Sequence, residues 1–166
     1  LGRHLVRRLG EVGGASVVVA GKADGDLRDR ETAMRVVREF DPDIVFHLAS
    51  RIGGIKENLA KPGSFIRDTL RMGLNVLDAC LDRQDRKIVI ASSACAYPVS
   101  IPEMTKEDQL WDGYPEKSNG AYGVAKRTLT VVVQAYAQQF GLRHNILIPT
   151  NLYGPGDPFE NENCHV

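Results

Sequence analysis

Two hydrophobic periods take turns along this chain. Residues 3–12 carry Leu5, Val6 and Leu9 on one helical face and Arg3, Arg7, Arg8 and Glu11 on the other, and Gly13-Gly14 closes the segment. Ser16-Val17-Val18-Val19-Ala20 is a continuous apolar run, the pattern of a strand buried on both faces. After a turn over 21–25 the helical period returns over 29–40, with Ala33, Val36, Val37 and Phe40 facing inward, until Asp41-Pro42-Asp43 breaks it. Ile44-Val45-Phe46-His47-Leu48-Ala49 repeats the buried-strand pattern. Residues 64–82 repeat the helical one through Phe65, Ile66, Leu70, Leu74, Leu77 and Leu81. Lys87-Ile88-Val89-Ile90-Ala91-Ser92-Ser93 is a third strand, ending in hydroxyls. Residues 121–140 form a fourth helix stopped by Gly141, and Asn145-Ile146-Leu147-Ile148 is a fourth strand. Residues 50–62 and 98–118 read as loops, the second with three prolines and Trp111 and long enough to suggest a functional role.

Apolar strands alternating with amphipathic helices specify an α/β fold, a doubly wound parallel sheet of the Rossmann type. Parallel strands need right-handed crossovers, so active groups gather beyond the carboxyl ends of the strands. Ser93, Asn151 and the loop from Ser50 all lie at such ends.

Composition narrows the function classes. The 166 residues, 43% apolar and 25% charged, suit one dinucleotide-binding domain over 1–166. Twenty-one basic and twenty-one acidic residues give a formal charge of zero, and without a basic cluster there is no electrostatic case for nucleic acid or an anionic membrane. No apolar run approaches the roughly 20 residues that span a bilayer, and there is no signal-peptide pattern. Cys80, Cys95 and Cys164 are odd in number and irregularly spaced, which argues against a disulfide framework and for a reducing cytoplasm. Cys164-His165 lacks metal-ligand spacing, and no His/Cys/carboxylate cluster suggests zinc. The chain opens on a helical pattern at Leu1 and stops at Val166 without a closing element, so a piece of a longer enzyme is expected.

Candidate chemistry centres on Tyr122-Gly123-Val124-Ala125-Lys126. Four residues apart, Tyr122 and Lys126 share one helical face, one turn from each other. An ammonium beside a phenol favours the phenolate, so the expected tyrosine pKa lies below about 10. Such a phenol can pass a proton to or from a ketone. The spacing alone is common on helix surfaces. Ser93, at a strand end about thirty residues earlier, can hydrogen-bond a substrate carbonyl while Tyr122 protonates it. Gly2 reads either as an ordinary helix-start glycine or as the last glycine of a dinucleotide fingerprint. Lys22 precedes Asp24 and Asp26 after the run at 16–20. A cation there suits the 2′-phosphate of NADP and an acid suits NAD, while a solvated turn accounts for the same residues. Locally, Cys95 reads equally well as a small core residue, and His165 as a structural or exposed one.

Several stretches are recognisable together: Arg51-Ile52-Gly53-Gly54-Ile55, Ser93-Ala94-Cys95-Ala96-Tyr97-Pro98, Tyr122 with Lys126, Pro149-Thr150-Asn151-Leu152-Tyr153-Gly154-Pro155, and Cys164-His165-Val166. Through them the chain resembles the extended short-chain dehydrogenase/reductases that act on nucleotide sugars, and more narrowly the branch that epimerises and reduces GDP-4-keto-6-deoxymannose. The resemblance implies a Ser93–Tyr122–Lys126 triad, with Cys95 and His165 as base and acid for epimerisation at C3 and C5. It implies NADP(H) rather than NAD(H), held by Gly2, Lys22, Asp26, Leu27, Ala49, Ser50, Arg51 and Lys126. Substrate contacts are implied at Ser93, Asn151 and Val166. It further implies that the first strand and a C-terminal substrate domain lie outside this chain, which would leave the fragment inactive by itself. A homodimer through the helices at 64–82 and 121–140 is implied too, and the wide apolar arc of Leu129, Val131, Val132, Val133 and Ala135 agrees with it. Thr69 and Ala94 depart from the family pattern, which commonly has asparagine and serine there. Two alternatives stay open: a sister enzyme acting on another nucleotide sugar, and a non-catalytic cofactor-binding regulator, which typically loses the tyrosine.

Overall fold

The structure, a computed structural model, describes residues 1–100 and 106–156. Five helices and three strands follow one another as α1 (Gly2–Val12), α2 (Arg30–Phe40), β1 (Ile44–His47), α3 (Ile55–Ala60), α4 (Pro62–Cys80), β2 (Lys87–Ala91), α5 (Gly120–Phe140) and β3 (Arg143–Leu147). Their ends have local causes. Asp29 caps α2 by accepting a 2.9 Å hydrogen bond from the Thr32 N–H, and Asp41, left-handed at φ 37°, turns the chain out ahead of Pro42. Pro62 opens α4, where its missing N–H costs nothing. Gly141 at φ 74° closes α5, its N–H reaching the Ala137 carbonyl at 3.0 Å.

The strands form a parallel sheet in the order β1-β2-β3. Ile44 to His47 pair with Lys87 to Ile90, and Lys87 to Ala91 with Arg143 to Leu147. Sequential parallel order with right-handed crossovers puts the connecting helices on one face. There Ala33 of α2, Val76, Leu77 and Cys80 of α4, and Leu129 and Val133 of α5 close over Ile88 and Ile90. The opposite face carries Ile44, Phe46 and Leu147, which stay 49%, 37% and 53% exposed.

The run at 16–20 departs from expectation. It belongs to no strand, and Val18 and Val19 are 58% and 60% exposed. An extended segment becomes a strand only through a hydrogen-bonded neighbour, and none of the described residues pairs with it. Helix α1 is amphipathic as expected but has no buried residue. The loop at 50–62 holds the short helix α3, and the segment at 98–118 holds 3₁₀ turns at Glu107–Trp111 and Lys117–Asn119. The stripe that α4 buries also differs from its leucine pattern: Phe65, Asp68, Thr69, Gly73, Val76, Leu77 and Cys80 face the core, while Ile66, Leu70 and Leu74 are half-buried.

At the amino ends of the strands, Arg86 is fully buried. It bonds the Pro42 carbonyl at 2.9 Å and Asp41 at 2.7 Å, and it pairs with Asp82. This guanidinium pins the end of α4 to the α2–β1 turn, away from the carboxyl-end loops.

Candidate active site

Beyond the carboxyl ends of β1 and β2 the chain turns sharply and brings the expected residues together. After β2, the Ser92 N–H donates to the Leu147 carbonyl at 2.8 Å and the Ala94 N–H to the Pro149 carbonyl at 3.1 Å, which joins the ends of β2 and β3. A 3₁₀ turn at Ala94–Ala96 follows, with Ser93 as its cap: the Ser93 Oγ accepts from the Cys95 N–H at 3.2 Å. Helix α5 starts across from this turn. Gly123 lies so near it that a Cβ there would collide with the Cys95 carbonyl oxygen. Tyr122 precedes that contact and Lys126 follows one turn later.

Lys126 is 3% exposed. Its Nζ donates to the Ala91 carbonyl at 2.7 Å and sits 5.6 Å over the Tyr122 ring. Burial pushes its pKa down to about 8. Tyr122 moves opposite to the sequence expectation, its phenol held above the ordinary 10. Burial is the largest cause and the neighbouring Cys95 adds to it, outweighing hydrogen bonds with Ser50 and Ser93 that favour the phenolate. Desolvation of the phenol therefore wins, while the Lys126 ammonium directs one N–H at the Ala91 carbonyl. Those same interactions draw Ser50, Ser93, Cys95 and Tyr122 into one site around the phenol.

The loop after β1 is anchored by Thr69, noted in the sequence only as a departure from the family pattern, and by Asn58 and Asp68, which the sequence did not single out. Thr69, fully buried on α4, bonds the Ser50 hydroxyl and accepts from the Arg51 N–H, both at 3.3 Å. Asn58 donates to the Gly53 and Gly54 carbonyls at 3.0 and 3.2 Å. Asp68, 1% exposed, meets Arg28, Arg51 and Arg67 at 3.2, 3.3 and 2.8 Å. Burial pushes its carboxyl up, and Arg67 and Arg28 outweigh that and hold it below the usual range. Arg51 also pairs with Glu57 at 3.2 Å and stacks over Phe65. The available signal was two polar residues, Asp68 and Thr69, inside the stripe set by Phe65, Val76, Leu77 and Cys80.

The remaining expected positions spread along the same rim. Arg28 grips Asp26 with two-pronged geometry and holds its carboxyl at about 2. The Leu27 carbonyl accepts from Asn75 at 2.9 Å. Lys22 lies exposed in a turn closed by the Gly21 N–H on Asp24 at 2.7 Å. Gly2 starts α1 beside Leu48, but a Cβ there would meet only the Leu48 methyl at 3.9 Å, so the close approach expected of a fingerprint glycine is not enforced. Ala49 is half-buried and Asn151 exposed beyond β3. Cys164, His165 and Val166 lie outside the described residues. Among the described residues no His/Cys/Asp/Glu cluster could hold a metal, and no helix is long and apolar enough to cross a membrane. Cys80 is a core residue, its thiol pushed up to about 12 by burial.

A parallel sheet whose carboxyl-end loops gather a serine, a cysteine, a tyrosine and a lysine agrees with comparison to known proteins. Residues 1–166 match the NAD dependent epimerase/dehydratase family along their whole length. The chain belongs to that family. Within it, the chain is 36% identical over 167 residues to a probable GDP-L-fucose synthase 1 of Oryza sativa subsp. japonica, covering 100% of this chain and 51% of the relative. A GDP-L-fucose synthetase structure from Naegleria fowleri bound to NADP superposes with TM-score 0.86 at 34% identity, over 99% of this chain and 53% of that one. MlghC, a GDP-mannoheptose C4 reductase from Campylobacter jejuni with NADP bound, superposes with TM-score 0.91 at 27% identity, over 99% and 49%. The chain thus spans about half the length of these epimerase/dehydratase-family relatives.

Proposed function

We propose that the protein containing this chain is an NADP-dependent epimerase-reductase of nucleotide sugars that converts GDP-4-keto-6-deoxymannose to GDP-L-fucose, with this chain as its cofactor-binding part. The observation that carries the reading is the turn Ser93-Ala94-Cys95-Ala96, which is held against α5 beside Tyr122 and Lys126. A reductase needs the serine, tyrosine and lysine only. A thiol in the same turn adds a group that can move a proton on carbon.

The donor set suits a dinucleotide. The Lys126 ammonium uses one of its three N–H donors on the Ala91 carbonyl and keeps two for a ribose diol, while Lys22 and Arg51 are cations on the rim where phosphates would lie. Gly2, Asp26, Leu27, Ala49 and Ser50 complete the proposed cofactor contacts. When bound, NADPH supplies the hydride to the ketone carbon. The chain's own residues handle the protons. Carbons flanking a ketone are acidic because the enolate charge rests on oxygen, and the Ser93 and Tyr122 hydroxyls stabilise that oxygen. At C3 and again at C5, Cys95 removes the proton from one face and His165 delivers one to the other, and between the two inversions Cys95 releases its proton to solvent while His165 takes one up. Tyr122, kept protonated by burial, then gives its proton to the C4 oxygen. Asn151 and Val166 complete the proposed substrate contacts.

A second reading, a sister enzyme for another GDP-linked keto-sugar, is favoured by the likeness to the heptose reductase. Both readings are tested by offering the complete protein GDP-4-keto-6-deoxymannose or a GDP-4-keto-heptose in deuterated water. The fucose-type reading expects deuterium at C3 and C5 of the first substrate. It also expects Cys95→Ser to lower that exchange about 100-fold with cofactor affinity unchanged. Undiminished exchange in Cys95→Ser removes the thiol from the mechanism, and turnover of the heptose alone selects the sister enzyme.

The same proposal includes a homodimer through α4 and α5. Val131 of α5 stays 46% exposed and Ile66 of α4 half-buried outside the apolar core, surface that a partner helix would cover. Light scattering of the complete protein at micromolar concentration is expected to return twice the chain mass, and a monomer contradicts it.

A further inference from the structure

Arg127 follows Lys126 on α5 but serves a different part of the molecule. It is 8% exposed. Its Nε donates to the Ala96 carbonyl, its Nη1 donates to the Gly113 carbonyl at 2.7 Å, and its guanidinium lies 5.7 Å from the Trp111 ring centroid. One turn earlier on the same helix, Gly123 receives the Cys95 carbonyl in a space too small for a Cβ. Two successive carbonyls of the Cys95 turn are therefore seated on one face of α5, the first by a missing side chain and the second by a buried cation.

The turn itself is short, and its entry is tied to the end of β3 by the Ala94 N–H on the Pro149 carbonyl. Three residues of 3₁₀ helix are marginal on their own. Within the turn region the Ala96 N–H reaches the Ser93 carbonyl and the Tyr97 N–H the Ala94 carbonyl, both at 3.0 Å. Beyond it, among the described residues, the chain is tied back by the antiparallel bridge between Pro98 and Pro115, which includes the 3.3 Å bond from the Val99 N–H to the Tyr114 carbonyl. Arg127 joins both sides of that hairpin-like excursion, Ala96 at its start and Gly113 near its end.

We infer that Arg127 is a positioning residue for the Cys95 thiol, fixing it relative to Tyr122 and Lys126 through the Ala96 carbonyl. The inference rests on the epimerase-reductase reading, in which Cys95 moves the protons at C3 and C5. Ser93, Tyr122 and Lys126 are placed by β2 and by α5 itself, so they do not need the guanidinium. Cys95 does. A misplacement of about 1 Å costs a proton-transfer group on the order of 100-fold, so loss of Arg127 should damage epimerisation and spare reduction.

The test compares wild type, Arg127→Met, Arg127→Lys and Cys95→Ser in the complete protein, supplied with GDP-4-keto-6-deoxymannose and NADPH in deuterated water. Two rates are read: deuterium entry at C3 and C5, and ketone reduction, including reduction without inversion. Arg127→Met is expected to lower exchange 10- to 100-fold, to change the reduction rate less than threefold, and to shift products toward the uninverted alcohol. Arg127→Lys, which keeps a cation and one donor, is expected to recover part of the exchange. Equal losses in both rates, or no loss in exchange, overturn the inference. Should Arg127→Met not fold, Arg127→Lys decides by the same comparison, with exchange expected to fall more than reduction. Unchanged exchange in Cys95→Ser defeats the underlying reading of the thiol, whatever the arginine variants do.

Discussion

At the scale of single residues, burial overrides the pairings that spacing suggests. Tyr122 and Lys126 share a helical face as their spacing requires, yet Lys126 is drawn to the Ala91 carbonyl and both groups shift toward their neutral forms. Sequence spacing reports which groups are neighbours. It does not report what water they lose. His47 obeys the same rule. It is 3% exposed, its Nε2 has no hydrogen-bond partner, and burial, with a smaller contribution from Lys126, holds it at about 4 instead of 6.5. An unfolded chain therefore takes up the proton first, so stability is full above pH 6.5 and falls as pH drops toward 4. Urea unfolding should show a loss of roughly 2–3 kcal/mol between pH 7 and pH 4.5 from this group, and His47→Gln should flatten that slope. Identical acid slopes in the two proteins would contradict the assignment. Arg127, Asp68 and Asn58 escaped the sequence reading for a related reason. A charged or amide side chain on a helix looks solvated until tertiary contacts place carbonyls and carboxylates around it.

At the scale of elements, the four expected helices were legible because each has a long apolar stripe, and each ends at a local stop: Gly13, Asp41, Gly141 and the turn at Leu81. Strands β1 and β2 were legible from their apolar runs, and β3 from Ile146 and Leu147, although it begins at Arg143, two residues before the run that predicted it. The run at 16–20 looked the same and failed, because a strand is defined by its neighbour and its own sequence cannot supply one. For α4, hydrophobicity pointed to the leucines, whereas the buried stripe also contains Asp68, Thr69 and Gly73, the last facing Leu129 of α5. Leu70 and Leu74 pack at the edge of the same core and stay half-buried. Packing of α5 over the sheet runs through Leu129, 1% exposed amid the core. Leu129→Ala is expected to cost about 2–5 kcal/mol in denaturant unfolding while leaving the Ser93–Cys95 turn intact. A cost below about 1 kcal/mol would mean that α5 is held by its N-terminal contacts alone.

At the scale of the whole molecule, the α/β class and the placing of chemistry at the carboxyl ends of parallel strands followed from the alternation of periods. Family membership followed from the motifs. The sheet is closed over by helices on one face, and the other face leaves Ile44, Phe46 and Leu147 in contact with solvent. The chain spans about half the length of its relatives, so the proposed activity is one to test on the complete protein. The most direct measurement is NADPH consumption by the complete protein given GDP-4-keto-6-deoxymannose. The account predicts oxidation of NADPH with a product inverted at C3 and C5, slowed about 10²- to 10⁴-fold in Tyr122→Phe. A folded, complete protein that consumes no NADPH with this substrate would contradict it.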